Sequence, residues 1–155
     1  MGAQVSDSGG WRRYRLALVV GVLVVLGVIA KQAVTRFVNM GLYAKRAEGI
    51  WRLEQIRKAQ LEYFKTHGQY VAVGPTPQRV PGTAQARFES EHMAGWQRLG
   101  WRPDSMVRCQ FEVTVPTPTD FRAVARCDAD GDGQESVFVS TSKQAPKRTS
   151  PDDHY

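Results

Sequence analysis

Fifteen consecutive residues, LALVVGVLVVLGVIA from Leu16 to Ala30, carry no polar side chain. A stretch of this kind needs lipid, or other protein, to cover it. It falls short of the roughly 20 residues that cross a bilayer core. It continues, however, into a mixed helix with Val34, Phe37 and Val38 beyond Lys31, and a lysine can snorkel its ammonium towards water. The expected span is therefore 11–38. Arg12, Arg13 and Arg15 stand just before the apolar run, which places the preceding segment, 1–10, in the cytoplasm. A cleaved secretory signal is the rival reading, since a charged start, a short apolar run and Val28-Ile29-Ala30 would serve it equally. Under both readings the bulk of the chain is exported. MGAQVS at the start fits an N-myristoylation pattern, but that pattern is short, means nothing in a bacterium, and an export segment makes it superfluous.

The helix should persist well past the apolar run. No proline occurs between Lys31 and Lys65, and Ala, Leu, Glu, Lys, Arg and Gln, all good helix formers, dominate there. Ile50, Leu53, Ile56, Ala59 and Tyr63 recur at spacings of three and four and mark one buried stripe. Glu54 and Lys58 are placed for an ion pair on the polar side. His67-Gly68 supplies the stop, with glycine where a C-cap is expected. At about 1.5 Å per residue, Leu16 to Lys65 would make a rod of about 75 Å.

Charge and composition exclude several classes. The net charge of +6 suggests an anionic partner, a nucleic acid or a membrane surface. The basic residues are dispersed, with no Lys/Arg block longer than two, so the clustered face of a nucleic-acid binder is absent. His67, His92 and His154 are isolated, and no glycine-rich phosphate loop follows a strand. The sequence therefore predicts no enzyme and no small-molecule substrate.

VGPTPQRVPG, 73–82, has three prolines and two glycines and reads as a loop. Residues 84–99 can form a short helix with Phe88, Met93, Trp96 and Leu99 inward. Two alternating runs follow. Cys109, Phe111, Val113 and Val115 share one face of the first, and Phe121, Ala123, Ala125 and Cys127 share one face of the second. A hairpin about Thr117-Pro118 would pair Val115 with Phe121, Val113 with Ala123, Phe111 with Ala125 and Cys109 with Cys127. Directly opposed residues of an antiparallel pair lie about 4.5–5.5 Å apart at Cα, within reach of a disulfide. An exported domain meets oxidising conditions, which favours a Cys109–Cys127 bridge over two free buried thiols. A third strand, SVFVSTS, comes next.

Between the last two strands lies CDADGDGQES. Asp128, Asp130, Asp132 and the backbone carbonyl of Gln134 fit the first four ligand positions of a calcium loop, with Gly133 at the bend. The closing bidentate glutamate is missing, as Val139 occupies its place. Three crowded carboxylates repel one another, and a calcium ion would relieve this. The competing reading is a solvated Asp/Gly hairpin turn that requires no metal. Because the loop joins strands, an EF-hand switch is excluded.

A charged start, a membrane helix running into an amphipathic half, a loop and then an antiparallel sheet resemble the type IV pilins and pseudopilins. LALVVGVLVVLGVIA looks like the apolar part of the pilin N-terminal helix, IRKAQLEYFKTHGQY like the region where that helix ends, and DFRAVARCDADGDGQESVFVSTS like the last hairpin of short pilin-like proteins. The resemblance implies an α+β fold, a long N-terminal helix packed on a three- to four-stranded antiparallel sheet. The span would be followed by a periplasmic head, 39–142, with helix 39–66, a loop and short helix over 67–103, and the sheet over 104–142. Residues 143–155 are expected to be a disordered tail.

Gly10 and Trp11 stand where the family is processed. Arg12 and Arg13, however, occupy apolar positions, and Arg15 stands where the family has a glutamate that neutralises a neighbour's N-terminal amine. The resemblance implies a minor pilin or pseudopilin of a type IV pilus or type II secretion-like assembly. Its partners would be the inner membrane of a bacterium and other pilin-like subunits or platform proteins. The reversed charge at Arg15 points instead to a non-polymerising, single-pass protein with a pilin-like periplasmic binding domain.

Overall fold

The computed structural model describes residues 8–103, 106–152 and 154–155, apart from the side chains of residues 8–10 and 12. MGAQVS lies outside the described residues. The chain divides into two compact units, Met1–Met40 and Gly41–Tyr155. Helix α1, Ser8–His67, contributes to both.

In the first unit the described residues are helical throughout. Every described side chain from Trp11 to Val38 is exposed, including Leu16, Leu23, Leu26 and Ile29. The valines and isoleucine of the apolar run lose χ1 freedom against the preceding turn, a small penalty that leaves the run helical. Among the described residues, one helix is thus long and apolar enough to cross a membrane.

The second unit has an α+β architecture. The rest of α1 and a short helix, α2 (Met93–Leu99), accompany five strands: β1 (Val73–Thr76), β2 (Cys109–Thr117), β3 (Asp120–Cys127), β4 (Ser136–Thr141) and β5 (Lys147–Arg148). The strands form one antiparallel sheet in the order β1-β2-β3-β4-β5, so each strand pairs with its neighbour in sequence. Leu53 and Ile56 of α1 are fully buried in the same cluster as Phe111, Phe121 and Phe138 from the sheet. Ala59 and Tyr63 pack on its margin, while Ile50 remains exposed, so the buried stripe begins one turn later than its periodicity predicts. Gly49 provides the close approach between layers. A Cβ there would lie 2.9 Å from Cys127 Sγ and 3.0 Å from the Phe138 ring.

The predicted helix stop is present. Gly68 adopts φ 68° and donates its N–H to the Phe64 carbonyl at 2.8 Å, a conformation open to glycine at little steric cost. The ion pair predicted for Glu54 and Lys58 is replaced by Glu54 with Arg57, at 3.7 Å.

Three segments depart from the sequence expectation. VGPTPQRVPG, expected as a loop, opens with β1, which pairs Val73 with Val113 and Thr76 with Phe111. Pro75 is tolerated because β1 is an edge strand, where a missing donor costs no ladder bond. Of the helix expected over 84–99 only Met93–Leu99 forms, and Ala86 bridges Val107 instead. Its inward residues are as expected, with Phe88, Trp96 and Leu99 buried and Met93 packed against them. The sheet has five strands rather than three or four. The fifth, Lys147–Arg148, lies within the segment expected as a disordered tail: Phe138 pairs with Arg148 and Val139 with Lys147.

Candidate functional site

The hairpin β2–β3 carries the only two cysteines of the chain. Its register is Cys109 opposite Cys127, Phe111 opposite Ala125 and Val113 opposite Ala123, as the alternation predicts. Cys109 and Cys127 form a disulfide with Cα atoms 4.3 Å apart, and both are buried. The predicted pair Val115–Phe121 does not form. The register shifts between Thr114 and Thr117, and Thr117 pairs with Asp120 around a turn at Pro118-Thr119. The extra residue falls at Val115-Pro116, where proline has no N–H to give to a ladder, so a bulge there sacrifices little.

Beyond Cys127 the acidic residues converge. Asp128, Asp130 and Asp132 each offer an oxygen, and these oxygens lie within 4.8 Å of one another. Two of the three carboxylates are already engaged locally. Asp128 accepts from the backbone N–H of Gly131 at 2.8 Å and of Gly133 at 3.2 Å. Asp132 accepts from the backbone N–H of Gln134 at 2.7 Å and from its side-chain amide at 3.0 Å. Gly131 and Gly133 both adopt positive φ, 76° and 83°, which lets the loop curl around Asp128. Asp130 differs, since its Oδ1 is buried without a hydrogen-bond partner. Glu135, the next acidic residue along the chain, pairs with Arg126 at 3.4 Å. The carboxylates of Asp128 and Asp132 thus organise a turn, and Asp130 Oδ1 is the oxygen of the cluster that is buried without a partner. The residues fit a self-sufficient turn better than a calcium cage, which takes six to eight oxygen ligands.

Gly10 lies within α1, and Trp11 is exposed with the Arg15 guanidinium 4.6 Å from its ring centroid. Arg15 thus has an aromatic partner within its own helix.

Two buried polar clusters escape sequence reasoning. Arg46 is almost fully buried, and its guanidinium donates to the backbone carbonyls of Asp152 at 3.0 Å and His154 at 2.6 Å. It also lies 4.2 Å from the Tyr43 ring and 4.7 Å from the Tyr155 ring. The Tyr155 carbonyl accepts from Ala129 N–H at 2.7 Å, and Ser136 Oγ donates to the His154 carbonyl. These contacts tie Asp152, His154 and Tyr155 to the head. In the second cluster, Gln60, fully buried, exchanges two hydrogen bonds with the Val71 backbone, at 2.6 and 3.0 Å. An arginine on a helix and a glutamine in an amphipathic stretch look like solvated residues in sequence, and only their tertiary partners reveal otherwise.

One carboxylate is electrostatically tuned. The Asp120 carboxylate accepts from Ser142 Oγ at 2.6 Å, Ser142 N–H at 3.0 Å and Phe121 N–H at 2.9 Å. The Ser142 hydroxyl holds the Asp120 pKa below the ordinary aspartate value, the backbone donors assist, and partial desolvation opposes them. Asp120 thereby ties the β2–β3 turn to the end of β4.

No protein-family model, no curated protein and no solved structure matches this chain.

Proposed function

We propose that this chain is a pilin-like subunit, a minor pilin or pseudopilin, of a type IV pilus or type II secretion-like assembly. Its N-terminal helix is anchored in a bacterial inner membrane, with the head in the periplasm. The observation that supports this reading is the double character of α1. Leu16 to Ala30 is wholly exposed and apolar, while Leu53 and Ile56 of the same helix are fully buried in the head core. A helix that serves a globular core at one end and an unmet apolar surface at the other suits a subunit that packs through that surface. The internal disulfide is in keeping with an oxidising compartment. The head is a structural and docking module, neither an enzyme nor a nucleic-acid binder. The acidic loop serves as a hairpin turn, with calcium as an optional guest at Asp130.

A photocrosslinking amino acid in place of Val24, in the full chain in native membranes, tests packing between subunits. Adducts of the chain with itself or with a sister subunit support the proposal. Adducts to lipid alone favour the second reading, a non-polymerising single-pass protein with a periplasmic binding domain. Arg15 favours that reading, because a cation there repels the N-terminal amine of a neighbour instead of neutralising it.

A further inference from the structure

The apolar stretch of α1 is bordered by two shallow grooves, each with two cations. Arg13 and Arg15 line the first together with Leu16 and Val19. Lys31 and Arg36 line the second with Val28, Gln32 and Thr35. Each sets two cations on an exposed helical surface, but only the first sets them beside an aliphatic wall, Leu16 and Val19. From Arg13 to Lys31 is 18 residues and from Arg15 to Arg36 is 21, about 27 and 32 Å along a helix of about 1.5 Å rise. A bilayer core is about 30 Å thick. The two cationic grooves are therefore spaced like the two headgroup layers of one bilayer.

We propose that the groove of Arg13, Arg15, Leu16 and Val19 binds an anionic phospholipid, with the phosphodiester on the guanidiniums and the start of an acyl chain along Leu16 and Val19. The inference rests on the membrane-anchor reading and adds a lipid class to it. A soluble phosphate would use only the cations and leave the aliphatic wall in water. A zwitterionic lipid would bring its own cation to a site that already holds two. An anionic phospholipid satisfies both parts of the groove. The Trp11 ring, 4.6 Å from the Arg15 guanidinium, places an aromatic face at the same level. Tryptophan favours that interfacial depth, and its cation–π contact restrains Arg15 without neutralising it. A planar, forked guanidinium also matches phosphate oxygens two at a time, which a lysine would not.

Native mass spectrometry of the full chain, released from nanodiscs of equal phosphatidylglycerol and phosphatidylcholine, tests this. Wild-type protein is expected to retain phosphatidylglycerol preferentially. The preference should fall by about thirtyfold in Arg13→Gln/Arg15→Gln, the equivalent of about 1 kcal/mol for each of two cations near a charged surface. Lys143→Gln/Lys147→Gln, in the head, should leave it unchanged. Inorganic phosphate at tens of millimolar should not displace the lipid. Equal retention of the two lipids, loss in the head variant alone, or displacement by phosphate overturns the proposal. A chain that does not enter nanodiscs at all refutes the anchor reading itself, a separate outcome.

Discussion

Leu23 and Leu53 lie on one helix and meet opposite fates. Leu23 is 62% exposed, and Leu53 is completely buried. The difference reflects neither side-chain identity nor helix propensity, since both are leucines within α1. It comes from what the rest of the chain supplies. Around Leu53, the sheet and α2 bring aromatic and aliphatic partners. Around Leu23, among the described residues of its unit, there is only more helix. The head stabilises itself by excluding water from its own core, whereas the first unit must find a solvent other than water.

The sharpest way to break this comparison is the same substitution at both sites. Leu53→Ala should cost the head about 2–5 kcal/mol, the range for deleting a buried leucine with incomplete collapse of the cavity. Leu23→Ala should leave head stability unchanged. Urea titration of the full chain in detergent, followed by tryptophan fluorescence, reads both, and equal effects would erase the distinction. Next in size is the bridge. Replacing Cys109 and Cys127 together by alanine opens a link with sequence separation 18 and should cost about 3 kcal/mol in the chain-entropy model. Membrane retention should be unaffected. Non-reducing mass spectrometry of exported protein should show one intramolecular bridge, and two alkylatable thiols would refute it.

The acidic loop gives smaller effects. Asp128→Ala removes the acceptor for two backbone N–H groups and should cost about 1 kcal/mol. Asp130→Ala should leave stability unchanged or slightly raised, because it relieves carboxylate crowding and an unpartnered buried oxygen. Millimolar calcium should not move the melting temperature. If calcium does bind tightly, a concentration one hundred times its Kd would add about 2.7 kcal/mol, and Asp130→Ala would abolish that gain. Smallest of all is the contribution of Asp120. Its folded pKa lies below the ordinary value of 3.8, so its stabilising effect is complete above that value and is lost as pH falls through the lowered folded pKa. Asp120→Asn should flatten the acid limb of head stability below about pH 4, leaving the rest of the curve in place. An unchanged acid limb would show that the Ser142 contacts do not bias its ionisation.

The parts of the fold legible in the sequence are those written in local periodicity. Alternation over 109–115 and 121–127 suffices for the core register and for the cysteine pair, because a slip by one residue would turn every apolar side chain outward. Gly68 marks the helix end by its backbone freedom. The illegible parts depend on partners distant in the chain. β1 carries Pro75 and Gly74 and looks like a loop until β2 offers it an edge. Residues 143–155 look polar and free until β4 pairs with Lys147 and Arg148 and Arg46 takes the carbonyls of Asp152 and His154. In the acidic loop the residues were identifiable, but the hydrogen bonds that occupy Asp128 and Asp132 were not.

In the proposed arrangement residues 11–38 remain as a membrane anchor to a folded, oxidised head. Its most direct test is the intact mass, under non-reducing conditions, of the chain extracted from carbonate-washed membranes. The predicted result is a species that retains Leu16 to Ala30 and lies two daltons below its reduced form. A chain found in the soluble exported fraction and lacking the apolar run would contradict this arrangement and identify that run as a cleaved signal.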